Sequence, residues 1–80
     1  MRLPRDVSGA DLIKALRVPG YQISRQTGSH IRLTTSENGT HHVTIPNHSP
    51  LRIGTLAAIL DDVANHFRII RQELLSKIKL

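Results

Sequence analysis

The chain has 80 residues, 11 Lys and Arg against 6 Asp and Glu, a net charge of +5 and a pI near 10.8. That length bounds it to a single domain, residues 1–80, near the lower size limit for one hydrophobic core, and without Cys it has neither disulfide nor thiolate-zinc site to staple it. No apolar run after the opening MRLPRD would serve as a signal peptide or span a membrane, so a cytoplasmic location with no membrane partner is expected.

The basic balance favours a polyanionic partner such as nucleic acid. Tyr21 and Phe67 are the only aromatic residues, so the core must rest on Leu, Ile and Val. For the same reason the stacking platforms that single-strand binders commonly use are nearly absent.

In chain order, DVSGADLIKALRVPGY predicts a first helix with marked ends. Ser8 stands as N-cap and Asp11 at capping-box spacing, where its charge also complements the helix dipole. Leu12, Ala15 and Leu16 share a face with Ile13 on its flank, and Pro19-Gly20 stops the helix.

Three strands are predicted next, Tyr21–Gln26, His30–Thr35 and Thr40–Pro46. Pairing Leu33 with Val43 keeps Ile31, Leu33, Val43 and Ile45 on one face, and leaves Glu37-Asn38-Gly39 as a three-residue loop with Gly where a left-handed residue is needed. Pairing Ile23 with Leu33 leaves Thr27-Gly28-Ser29 as the first loop. The opposite, polar face would then carry Gln22, Ser24, Gln26, His30, Arg32, Thr34, His42 and Thr44.

A loop, NHSPLRIG, precedes a second helix from about Thr55 to Asn65, with Leu56, Ile59, Leu60 and Val63 at helical spacing. After a break near Asn65-His66, RIIRQELLSKIK predicts a short C-terminal helix with Ile70, Leu74 and Ile78 as its stripe. The order is helix, three-stranded antiparallel meander, helix, helical extension. With helices covering one sheet face, this is an α+β sandwich, the α-β-β-β-α arrangement of the double-stranded-RNA-binding fold.

The chemistry-bearing residues gather on paper at one edge. The register puts His30 at the turn end of its strand opposite Pro46, and two further residues along that edge bring in His48. Arg25 and Arg32 lie on or beside the sheet. Cleaving RNA through its 2′-hydroxyl needs a base, an acid and a cation to steady the phosphorane, and imidazole, with a reference pKa of about 6.5, serves as either acid or base. From spacing alone, a solvated strand histidine is the simpler reading of His30, and Asn-His-Ser-Pro is ordinary loop composition around His48.

Metal chemistry finds little support in the sequence. His41 and His42 are adjacent in a strand and face opposite ways, and His42 lies roughly 13 Å from His30 at strand rise. No metal and no cofactor is expected. His66 ends a helix, where a capping or dipole role is the default. Among the remaining cations, Arg52 precedes the second helix and Arg2, Arg5 and Arg17 lie near the first. Arg68, Arg71, Lys77 and Lys79 read as a solvated face, and Asp61-Asp62 as an exposed helix edge.

SGADLIKALRVPGYQISRQTGSHIRLT followed by HHVTIPNHSPLRIGTLAAIL resembles the HicA family of toxin-antitoxin mRNA interferases along almost the whole chain. The resemblance rests on Gly20-Tyr21, Gly28-Ser29-His30, Val43-Thr44-Ile45-Pro46 with Asn47-His48, and Gly54-Thr55-Leu56 with Ile59-Leu60 in this order.

It implies a ribosome-independent endoribonuclease that cuts mRNA, and a cognate HicB-type antitoxin that masks it in a hetero-oligomer. It places the essential histidine on His30; His48, which the register brings to the same edge, is the candidate second group. Gly28, Ser29, Arg25, Arg32 and Arg52 would hold RNA. The chain departs from the family pattern at Pro50-Leu51-Arg52-Ile53, where one basic residue stands, and at Ala57-Ala58, where Lys or Arg is common. The same Arg placement also suits a non-catalytic RNA-binding module, or a toxin that retains only partner binding.

Overall fold

Ser8 does begin the first helix. In the computed structural model, which describes residues 3–80, Ser8 is extended and its hydroxyl accepts from the Asp11 backbone N–H at 2.9 Å. The Ser8 N–H in turn donates to the Asp11 carboxylate at 3.1 Å. Both halves of the capping box are thus made, and they hold the Asp11 carboxyl below the usual range. Arg2 lies outside the described residues.

The elements run α1 (Gly9–Ala15), β1 (Gln22–Thr27), β2 (His30–Thr35), β3 (His41–Pro46), α2 (Ile53–His66) and α3 (Arg71–Ile78). The strands form one antiparallel sheet in the order β1-β2-β3. The molecule measures 31 × 29 × 17 Å, and the short dimension accommodates two layers, a sheet and the helices on it. This is the expected α+β, double-stranded-RNA-binding-like architecture, with α3 added.

Leu33 pairs with Val43 and Ile31 with Ile45, so the β2–β3 register is the expected one. The ladder stops one pair early, at Thr35 opposite His41. Thr35 is buried and its hydroxyl is committed elsewhere, donating to the Pro19 carbonyl at 3.0 Å and accepting from the Glu37 N–H at 3.1 Å.

The β1–β2 hairpin differs from expectation. Ile23 does pair with Leu33, but a bulge follows, and Arg25 pairs with Arg32, Gln26 with Ile31 and Thr27 with His30. The loop is therefore Gly28-Ser29, with Thr27 inside the strand. Because a one-residue slip exchanges faces, Gln26 leaves the polar face and Arg25 joins it. Ile23, expected in the core, is 54% exposed. It lies on an edge strand beyond the cover of α1 and α2, which pack over β3.

The core joins Leu12 and Leu16 of α1, Ile31, Leu33, Val43 and Ile45 of the sheet, and Leu56, Ile59, Leu60 and Val63 of α2. Tyr21 completes it from the end of β1. Gly9 allows α1 to sit against β3, since a Cβ there would run into the Pro46 carbonyl oxygen.

α2 starts at Ile53 because Arg52 is the extended N-cap residue, and it runs to His66. The chain leaves it through Arg68 at φ +57°, with Ile69 N–H bonded to the Ala64 carbonyl and Arg68 N–H to that of Asn65. That is a Schellman closure without its usual glycine.

α3 buries Leu74, Leu75 and Ile78, whereas Ile70, expected on the stripe, is the N-cap residue and 68% exposed. Arg71 is not simply solvated. It makes a bidentate pair with Asp61 at 2.7 and 2.6 Å that ties α3 to α2 and holds the Asp61 carboxyl low.

Candidate functional site

The corner that carries His30 is fixed by the turn before it and by the end of β3. Gly28 takes φ +58° at the first of two turn residues, the type II′ pattern that favours glycine. The Ser29 carbonyl accepts from the Asn47 N–H at 2.6 Å, which clamps the β1–β2 turn to the end of β3.

His30 opens β2, paired with Thr27 on one side and Pro46 on the other, and its side chain is exposed. His48 lies two residues beyond Pro46, exposed, with its carbonyl held by the Gly9 N–H at 2.9 Å. The two histidines thus belong to one end of the sheet. Among the described residues no hydrogen bond joins their rings.

The bulge decides where the arginines stand. Arg25 and Arg32 face each other across β1 and β2, on the same open face as His30. Like charges directly opposite one another destabilise a sheet pair unless something neutralises them. No carboxylate on this face does so: Asp6 and Asp11 belong to the α1 region, Glu37 to the hairpin tip, Asp61 and Asp62 to α2, and Glu73 to α3.

The face is completed by a chain of polar groups that spacing did not reveal. Arg32 Nε donates to Ser24 Oγ at 3.2 Å, Thr34 Oγ1 bonds Ser24 Oγ at 2.7 Å, and Thr34 Oγ1 meets His42 Nδ1 at 2.7 Å. Arg52 stands apart as the N-cap residue of α2, in the helical layer.

His41 faces the opposite way from His42, as alternation requires, and serves packing. The Tyr21 hydroxyl meets its Nδ1 at 2.6 Å, Asp62 its Nε2 at 3.2 Å, and His66 stacks on it at 4.4 Å. His66 Nε2 donates to the Glu37 carbonyl at 2.9 Å, so it ties α2 to the hairpin tip. Asp62 is therefore a partner, not merely a helix edge. Burial pushes the Tyr21 phenol up to about 12, with the Asp62 charge adding to the shift.

A family model described as the HicA toxin of bacterial toxin-antitoxin matches residues 9–64, which include every element from α1 to most of α2. The chain belongs to the HicA toxin family. As a HicA toxin it is one half of a toxin-antitoxin pair, and its counterpart is an antitoxin. Neither the curated proteins nor the solved structures contain a match to it.

The segment shared with other HicA toxins contains Arg25, Gly28, Ser29, His30, Arg32, His48 and Arg52, whereas α3 lies beyond it. Among the described residues no helix is long and apolar enough to cross a membrane.

Proposed function

We propose that this HicA toxin is an endoribonuclease that cleaves mRNA and thereby stops translation, with His30 as general acid or base. The observation that carries the reading is the open sheet face, where His30 stands exposed with Arg25 and Arg32 and with no carboxylate.

In the proposed step a base takes the proton of the 2′-hydroxyl, the 2′-oxygen attacks phosphorus and the bond to the 5′-oxygen breaks. The departing oxygen receives a proton, leaving a cyclic phosphate and a 5′-hydroxyl. His30 supplies one of the two proton transfers, and His48 is the second group at the same end of the sheet. Arg25 and Arg32 hold the phosphate and steady its developing charge. Gly28 and Ser29 set the turn that presents the ring, and Arg52 adds a contact from the helical layer.

The step needs no metal. Hard cations are held by carboxylate oxygens, and this face offers none. A HicB-type antitoxin is proposed as the partner, covering His30 and the cations around it; acidic groups on its surface would offset the charge and block substrate together.

Expression of the wild type should arrest growth, while His30→Ala of equal solubility should not. With purified RNA in excess EDTA, His30→Ala should cut about 100- to 10,000-fold more slowly. Equal toxicity of the two proteins, with no cleavage by either, would instead indicate an RNA-binding module.

A further inference from the structure

Ser24 is the extra residue of the β1 bulge, unpaired in the ladder between Ile23 and Arg25. A bulge re-aims the side chains around it, and here the re-aimed hydroxyl becomes the centre of a cluster. Ser24 Oγ accepts from Arg32 Nε at 3.2 Å and from Thr34 Oγ1 at 2.7 Å, and donates its own proton towards the Arg32 carbonyl at 3.3 Å.

Thr34 Oγ1 also meets His42 Nδ1 at 2.7 Å, so the Thr34 hydroxyl is held between Ser24 and the ring. The chain runs across all three strands, from His42 on β3 through Thr34 on β2 to Ser24 on β1, and back to Arg32 on β2.

Arg32 is the cation next to His30 on this face, about 7 Å along the strand. With Nε engaged by Ser24, its two terminal amino groups remain for an anion, the fork that matches a phosphate. Nothing else among the described residues bonds the Arg32 guanidinium.

We propose that Ser24 is a positioning residue for Arg32, locked by Thr34 and His42, so that the guanidinium is aimed at the RNA phosphate before substrate arrives. This rests on the reading that the face takes RNA. Pre-set geometry matters because a misplaced group forfeits much of the gain from proximity. Ser24 touches no substrate; it acts through Arg32.

The test is a double-mutant cycle of Ser24→Ala and Arg32→Ala on a single-stranded RNA oligonucleotide of mixed sequence, read as kcat/KM for cleavage. In parallel, Kd is read with the same substitutions added to His30→Ala. Ser24→Ala alone should lower kcat/KM about 10- to 100-fold, yet cost less than about twofold once Arg32 is already Ala. It should leave the dependence of binding on salt unchanged, because no charge is lost, whereas Arg32→Ala should flatten that slope by about 0.7.

Ser24→Thr, which keeps the hydroxyl, should restore activity. Thr34→Val, of nearly the same shape, should lose it in the same Arg32-dependent way, which guards against a folding artefact in the bulge. Additive losses, or no loss for Ser24→Ala in either background, would overturn the positioning role while leaving the nuclease reading intact. A wild type that binds but does not cut, with a non-additive cycle in Kd, would overturn the nuclease reading and leave the positioning role standing. A chain that neither cuts nor binds the oligonucleotide would overturn both.

Discussion

Tyr21 is fully buried in a chain almost without aromatics, and a buried phenol must find a partner for its hydroxyl. It finds His41 Nδ1 at 2.6 Å, and His41 passes its other ring nitrogen to Asp62 at 3.2 Å. In the neutral arrangement the phenol donates to Nδ1 and the ring Nε2–H donates to the carboxylate, so every group is satisfied. Burial disfavours the phenolate and the Asp62 charge disfavours it further, so the phenol is pushed up to about 12. In the unfolded chain it keeps the ordinary phenol value of 10.0. Between these values the unfolded state has lost the proton and the folded state still holds it, so stability is complete below pH 10 and falls as pH rises towards 12. Urea midpoints measured across that interval should decline for the wild type, and the decline should shrink in Tyr21→Phe, which is less stable at neutral pH because His41 Nδ1 loses its partner. A parallel decline in both proteins would remove Tyr21 as its source. Alternation in the strand was enough to place His41 and His42 on opposite faces. The Asp62 link was not legible, because no local spacing relates a strand residue to a helix residue so far along the chain.

At the level of elements, the sequence was readable where local rules decide and opaque where packing does. The capping box of α1 and the β2–β3 register follow from residue types at fixed offsets, and both are present. The bulge in β1 left no mark, since Gln22–Thr27 contains no glycine at the irregular position and its strand propensity is unchanged by an extra residue. Missing it misplaced Arg25 and Gln26, the former being one of the cations most relevant to the site. For α3 the helical period admits two stripes, one through Ile70 and one through Leu75. The Schellman turn at Arg68 delays the helix start to Arg71 and thereby selects Leu74, Leu75 and Ile78. The choice is measurable. Leu74→Ala, at 1% exposure, should cost about 2–5 kcal/mol in urea denaturation. Ile70→Ala, at 68% exposure, should stay within about 0.5 kcal/mol. Comparable costs at the two positions would mean that α3 packs through the other stripe. Because α3 lies beyond the segment shared with the family, a large loss at Leu74 would also show that this chain depends on an element the family model does not describe.

For the whole molecule, the net charge of +5 matters less than its sorting. Carboxylates sit in the helical layer and at the hairpin tip, and several are already engaged: Asp11 at its cap, Asp61 with Arg71, Asp62 with His41. The open face of the sheet keeps its cations uncompensated, a sorting that attracts a polyanion to one side only. If the sorting rather than the sum governs RNA binding, one carboxylate should act very differently in two places. Thr44 is exposed on the open face and pairs across the strands with Arg32, whereas Ser76 is exposed on α3. Thr44→Glu and Ser76→Glu carry identical net charge. The first sets an anion within reach of the Arg32 guanidinium, in competition with phosphate, and the second does not. With each substitution placed in a His30→Ala background to prevent turnover, Thr44→Glu should flatten the salt dependence of oligonucleotide binding by about 0.7 and weaken it at every sequence tested. Ser76→Glu should leave the slope as it was. Equal losses from the two would mean that total charge draws RNA to this protein without preference for a face, and the open sheet would lose its claim to be the substrate surface.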